Sequence, residues 1–173
     1  MIEKIKIQLR INDKDVSEIA FPELTLADFL HEKIGLRGTK VSCGIGVCKA
    51  CTVAARRPGQ SSFERIQACV MPVVALNGCD ILTVEGLASS QSLSLQQQSF
   101  LKHFSFQCGY CAPGFLMGVT LLIDQLKRKP IKRENLDKLI EENIGEHICR
   151  CTGYAKYYQA IHAIIAETPG LVV

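Results

Sequence analysis

The sequence predicts an α+β chain in two parts, a strand-rich part over residues 1–86 and an all-helical part over residues 87–173. Three observations carry this. Near the start, Ile5, Ile7, Leu9 and Ile11 alternate with Lys4, Lys6, Gln8 and Arg10, the period of a half-buried strand. Beyond the Ser/Gln-rich run of residues 88–99 the apolar spacing becomes helical and strand-like runs almost disappear. Finally, the cysteines fall into two groups, one in each part.

In the first part, Asn12-Asp13 turns the opening strand into a second one, from about Val16 to Phe21, and the pair reads as a hairpin. Pro22 ends it. Thr25 is placed to cap a helix whose inner face holds Leu26, Phe29, Leu30 and Ile34, with Gly35 as terminator. Strand, strand, helix and then a cysteine-bearing loop is the opening of a β-grasp domain. After the loop come a strand from Thr52 to Ala55, a turn at Arg57-Pro58-Gly59, an apolar run from Val73 to Leu76 and a turn at Asn77-Gly78. A strand from Ile81 to Val84 closes this part near residue 86.

The second part begins as a linker running into a helix, with a first turn near Ser92 and expected core contacts from Leu95, Phe100, Leu101 and Phe104. Pro113 sits where a first-turn proline belongs, opening a mostly buried helix through Phe115 to Leu126. Lys127-Arg128-Lys129 complements the dipole at that helix's end, which makes it a solvated terminus rather than a binding patch, and Pro130 follows. Asn135 to Asn143 and Tyr154 to Glu167 supply two further helices, the first closed by Gly145, giving four in all.

A hydrophobic fraction of 47% with 21% charged residues is ordinary globular composition, so disorder is not expected. The formal charge of +3 is mild, and metal-bound thiolates would lower it, so no nucleic-acid footprint is read. No apolar run approaches the length of a membrane span. The stretch Met1 to Ile7 alternates like a strand and lacks the apolar core of an export signal, so a cytoplasmic protein is expected. In that compartment a chain with 9 cysteines binds metal sooner than it forms disulfides.

Cys43, Cys48 and Cys51 stand at C-x4-C-x2-C spacing in CGIGVCKACTV, with Cys69 following at a distance. This is the plant-type 2Fe-2S ligand pattern. A binuclear cluster needs two thiolates on each iron, and a loop carrying three of them must wrap tightly. Gly44 and Gly46 allow the backbone to do so and to turn its N–H groups inward. A four-cysteine zinc site and a disulfide knot are the alternatives, although zinc sites usually pair two C-x2-C knuckles. In the second part Cys108 and Cys111 precede the Pro113 helix, and Cys149 and Cys151 precede the Tyr154 helix. Two helix N-termini would then face one another, each delivering a pair of thiolates that its dipole favours. Taken alone this quartet suits zinc or a 2Fe-2S cluster equally; beside a ferredoxin-type loop it favours iron-sulfur.

The motifs CGIGVCKACTV, Cys69, TVEGL at 83–87, QCGYCAPG at 107–114 and CRCTGY at 149–154, in this order, resemble the small iron-sulfur subunit of the molybdenum hydroxylases, the xanthine dehydrogenase and aldehyde oxidoreductase family. The resemblance covers almost the whole chain. It implies a β-grasp domain of plant-type ferredoxin kind over residues 1–86 and a helical four-helix bundle over 87–173, each holding a 2Fe-2S cluster. It also implies that Cys108, Cys111, Cys149 and Cys151 hold an inner cluster, nearer a molybdenum-pterin cofactor on a separate large subunit. Cys43, Cys48, Cys51 and Cys69 would hold the outer one. Gln107 matches a position whose side chain reaches toward the pterin; the alternative is a helix-end glutamine bonded to local backbone. The implied role is to pass electrons singly from the molybdenum centre to a flavin (FAD), a cytochrome or another acceptor on a partner. The substrate pocket would lie in the other chain.

The sequence departs from the family in the first loop. An acidic residue is common there where Ile45 or Val47 stands, and a small one where Lys49 stands. Fewer negative charges and one more positive charge favour a reduced cluster, so a raised outer potential is expected. Cys79 has no partner spacing and reads as a free thiol. Of His31, His103, His147 and His162 only His147 is expected near a cluster, while Arg150 would bond a cluster sulfur or a neighbouring subunit. Tyr157 and Tyr158 read as helix packing and surface. No Ser/His/Asp set, paired carboxylates or phosphate-binding glycine loop stands out, so bond chemistry on an organic substrate is not expected of this chain. The other readings are a free-standing ferredoxin-like carrier and a zinc-stabilised interaction module.

Overall fold

A computed structural model describes residues 3–89 and 91–173. The strand-like reading of Met1 and Ile2, and Ser90 within the expected linker, lie outside the described residues. Strand β1 (Ile5–Ile11) buries Ile7, Leu9 and Ile11 on one face, as its alternation requires. Asn12 and Asp13 both take left-handed backbone, φ 49° and 65°, the two-residue turn that matches strand twist, and β2 (Lys14–Ala20) returns antiparallel. Strands β3 (Thr52–Arg56), β4 (Glu64–Gln67) and β5 (Asp80–Leu82) complete one sheet in the order β2-β1-β5-β3-β4. Within this sheet the β1–β5 pairing is parallel and the other described pairings are antiparallel.

Thr25 caps α1 (Leu26–Asp28) by accepting from the Asp28 N–H at 3.1 Å. The helix runs on as a wider π-helical turn, Phe29–Ile34, and Gly35 ends it at φ 78°. Leu26, Phe29 and Leu30 are fully buried among the side chains of the sheet's inner face. The start of α1 is tied by backbone bonds to the chain around Cys69, from Leu26 N–H to Met71 O (2.7 Å) and from Ala27 N–H to Ala68 O (3.0 Å).

Four helices follow: α2 (Leu95–Lys102), α3 (Ala112–Arg128), α4 (Leu136–Ile144) and α5 (Ala155–Glu167). Buried side chains from all four, including Phe100, Phe115, Leu122, Ile140, Tyr157 and Ile161, form their common core. The α3 sequence is apolar on nearly every side because it is covered on two. One face joins that core, and Met117 and Leu121 pack with Ala54 of β3. Among the described residues no helix is long and apolar enough to cross a membrane.

The structure corrects several expectations. Helix α2 starts at Leu95, not near Ser92, because Ser94 and Gln97 form a reciprocal capping box. Phe100 then faces inward, whereas Leu95, Leu101 and Phe104 are 41%, 50% and 82% exposed and make no core. The run Val73–Leu76 is a single 3-10 turn. Strand β5 stops at Leu82, since Thr83 is bonded to Asn12 through both its N–H and its hydroxyl and the chain turns away as Val84–Leu87. Strand β4 forms where the sequence shows no strand period.

Candidate metal centres

The first centre is built on the loop between α1 and β3. Gly44 and Gly46 have φ 70° and 76°, as a tightly wrapped loop demands, and Lys49 is also left-handed at 60°. The loop aims amides inward: the Cys48 N–H lies 3.5 Å from Cys43 Sγ. Backbone N–H groups of Cys48 and Ile45 hold the Cys43 thiol at about 6, well below its ordinary value, so the loop is prepared for a thiolate. Cys51, at the foot of β3, is buried, and Cys69 follows β4 directly. The two sulfurs stand 3.3 Å apart because Ala68 N–H bonds to Cys51 O (3.2 Å) across the β3–β4 ladder. Burial, with Cys69 beside it, pushes Cys51 up to about 12.

The second centre lies at the start of α3. Cys111 is the residue before its first turn, and Cys108 sits on the exposed approach to it. Cys149 and Cys151 are not at a helix start as expected. Gly153 and Tyr154, both left-handed at φ 64° and 70°, reverse the chain between them and α5. That reversal brings Cys151 Sγ to 3.6 Å from Cys108 Sγ. Cys149 lies beside Cys111 and takes a hydroxyl contact from Thr152 at 3.1 Å, while its own N–H donates to Tyr154 Oη at 3.2 Å. Burial raises the Cys149 thiol, but the Thr152 hydroxyl and nearby backbone N–H groups outweigh it and the net shift is downward. Burial pushes Cys111 up to about 11, against the opposing hydroxyl of Tyr157 3.3 Å away.

Metal–thiolate bonds of about 2.3 Å at a tetrahedral ion put two sulfurs about 3.7 Å apart. The Cys51–Cys69 and Cys108–Cys151 pairs match that spacing. Among the described residues no three His, Cys, Asp or Glu side chains converge where one ion could sit. A binuclear cluster asks for thiolates in pairs, two on each iron, and pairs are what these residues offer.

The two centres adjoin. A cavity of about 160 Å³ is lined by Cys48 of the first set and by Cys108, Cys111, Cys149 and Cys151 of the second. Ile148 N–H donates to Cys48 O at 3.1 Å, and Lys49 Nζ meets Glu146 Oε2 at 3.3 Å. Beneath them His147 is buried, with Nε2 toward Gly114 O (3.1 Å) and Nδ1 toward Ile144 O (3.2 Å). Burial, then the Arg65 charge, lowers its pKa to about 4. Gln107 is exposed beside Cys108 and has no hydrogen-bond partner among the described residues, so the local backbone bond of its alternative reading is not seen. Arg150 is exposed and Cys79 is buried in the sheet core.

Tyr157, expected as helix packing, is packed and also brings its hydroxyl to a candidate ligand. The available signal was a tyrosine at an inward helix position, where a buried hydroxyl must find a partner.

Residues 9–74 match a family model described as a 2Fe-2S iron-sulfur cluster binding domain, and residues 83–162 match one described as a 2Fe-2S binding domain. The chain is 32% identical over 169 residues to a probable xanthine dehydrogenase subunit of Bacillus subtilis (strain 168), covering 98% of this chain and 90% of that protein. It is 36% identical over 162 residues to a caffeine dehydrogenase subunit gamma of Pseudomonas sp. (strain CBB1), covering 94% and 92%. Among solved structures, one chain of quinoline 2-oxidoreductase from Pseudomonas putida 86 superimposes with a TM-score of 0.80 at 34% identity, covering 95% of this chain and 94% of that one. Other relatives are far longer. The chain spans 13% of a probable aldehyde oxidase of Caenorhabditis elegans and 10% of a xanthine dehydrogenase of Blastobotrys adeninivorans.

Proposed function

The chain belongs to the iron-sulfur subunits of the xanthine dehydrogenase family of molybdenum oxidoreductases, and on that premise we propose that it carries electrons between a large molybdenum-binding subunit and an acceptor through two adjacent 2Fe-2S clusters. Cys43, Cys48, Cys51 and Cys69 hold the outer cluster. Cys108, Cys111, Cys149 and Cys151 hold the inner one. When bound, each cluster accepts and releases one electron at a time, which no side chain here does. The observation that carries the proposal is the shared cavity, lined by Cys48 of one quartet and by all four cysteines of the other.

The protein's own residues position and tune. The loop amides and the Thr152 and Tyr157 hydroxyls face thiolate sulfur and stabilise its charge. We divide the chain at residues 86 and 87 into a β-grasp domain and a four-helix bundle. The partner face is proposed to be the surface beside the exposed Cys108, where Tyr110 and Ile148, which line the same cavity, are 48% and 50% exposed; apolar groups there fit a covered surface better than a free one. Gln107 lies on it and is proposed to reach the molybdenum-pterin cofactor. The acceptor, a FAD-binding or cytochrome subunit, would approach the outer loop.

Anaerobic isolation tests the reading. Two distinct reduced paramagnetic signals and co-elution with a large molybdenum-containing chain are expected. A colourless zinc protein, or a brown one eluting alone, overturns it.

A further inference from the structure

We propose that Tyr157 is a tuning residue of the inner cluster, its buried hydroxyl donating a hydrogen bond to the sulfur of Cys111. The inference rests on the reading that Cys111 is a cluster ligand.

Tyr157 is 0% exposed. Its ring is held on two sides, stacked on Phe115 with centroids 4.0 Å apart and planes 8° apart, and meeting Phe100 edge-on at 5.2 Å. The hydroxyl therefore has little freedom, and a buried hydroxyl without a partner is costly. Among the described residues its only hydrogen-bond partner is Cys111 Sγ, at 3.3 Å. A thiol and a phenol can each donate to the other. A sulfur bound to iron has no proton, so only the phenol can. The ring's packing thus fixes a neutral donor on the cluster's buried side.

A hydrogen bond to a ligand sulfur favours whichever state carries more negative charge, and that is the reduced one. Each electron that enters from the molybdenum side and leaves toward the acceptor passes over this cluster. Tyr157 makes the cluster an easier first acceptor.

Tyr157→Phe removes one oxygen and keeps the ring. Reductive titration of the assembled enzyme, following the two paramagnetic signals separately, should show the inner cluster about tenfold harder to reduce, about 59 mV lower for one electron. The outer cluster should not move. Tyr158→Phe is the control, because the Tyr158 hydroxyl bonds Glu141 Oε2 at 2.6 Å on the exposed side of the same helix, and it should leave both signals in place. An unmoved inner potential, or an equal shift in the control, overturns the inference while the cluster assignment stands. A missing inner signal in the unmodified enzyme overturns both. Should Tyr157→Phe fail to assemble, biosynthetic replacement of tyrosine by 3-fluorotyrosine, a stronger hydrogen-bond donor, decides: among the described residues only the Tyr157 hydroxyl reaches a sulfur, so the inner potential should rise while the outer one stays, and an unmoved inner potential rejects the hydrogen bond.

Discussion

Ile148 gives its N–H to the carbonyl of Cys48 at 3.1 Å, so a residue adjoining one thiol quartet is bonded to a member of the other. The path from Cys48 to Cys149 crosses that one hydrogen bond and is otherwise backbone. The seam is closed on either side by Lys49 with Glu146 and by Arg65, which donates to Asn143. Spacing between the centres is therefore set by main chain, with little dependence on side-chain rotamers.

Gly114 lies in the same seam. A Cβ there would run into the carbonyl oxygen of Lys49 and stand 2.9 Å from Ala50 Cα, both backbone atoms that cannot swing away. Gly114→Ala should therefore pry α3 from the first loop and destabilise the protein by about 1–3 kcal/mol, as overpacking does. Denaturant titration checks this. An unchanged midpoint would show that the seam is looser than it looks.

Lys49 and Glu146 form an ion pair beside the first cysteine loop, and their charges should act on the proposed outer cluster in opposite directions. The Lys49 side chain is 16% exposed and its partner's 67%, so the positive charge is felt nearer full strength and the negative one is screened by water. Lys49→Gln should lower the outer potential and Glu146→Gln should raise it, each by an amount on the order of 1 kcal/mol. Shifts of the same sign in a redox titration would refute the assignment of Lys49 to that cluster.

What the sequence disclosed follows from how local each constraint is. The β1 alternation and the Asn12-Asp13 turn answer to neighbours one or two residues away, and were legible. Strand β4 buries only Ile66 of its four residues at the sheet's edge, so its polar sequence carries no period to read. Phe104 lies outside the core expected for it because aromatic character does not say which way a helix end faces. The chain leaves α2 there with φ 51° and turns the ring outward. The two groups of cysteines could be read because their spacing lies along the chain, within and just outside single loops. The Tyr157–Cys111 contact joins positions 46 apart and the Lys49–Glu146 pair also spans the two halves, so neither leaves a mark in the sequence.

Loading metal into the cluster-free protein should release protons and strengthen with pH. Cys51 at about 12 and Cys111 at about 11 hold their protons at neutrality, and a ligand must lose its proton to bind. Each proton displaced makes binding about tenfold tighter per unit of pH. Cys43, held at about 6, is already ionised above that value and contributes to the dependence only below it. Competition between the cluster-loaded protein and an iron chelator at a series of pH values checks this, and iron retention independent of pH would mean that these thiols do not ligate.

Removing one ligand from each set should separate the two centres. Cys51 and Cys149 are the most buried members of their quartets, at 1% and 7% exposure, so no water-borne donor easily takes their place. Cys51 stands in the sheet-side core, whereas Cys149 belongs to the helical one. Cys51→Ala should therefore abolish the outer cluster's paramagnetic signal and about half the iron while the inner signal persists, and Cys149→Ala should do the reverse. Because Ile148 next to Cys149 is bonded to Cys48, and α3 packs on β3, each variant should also shift or broaden the signal that remains. If either variant lost both signals while remaining folded by circular dichroism, the eight thiols would be serving one joint site, and the division into two quartets would have to be given up.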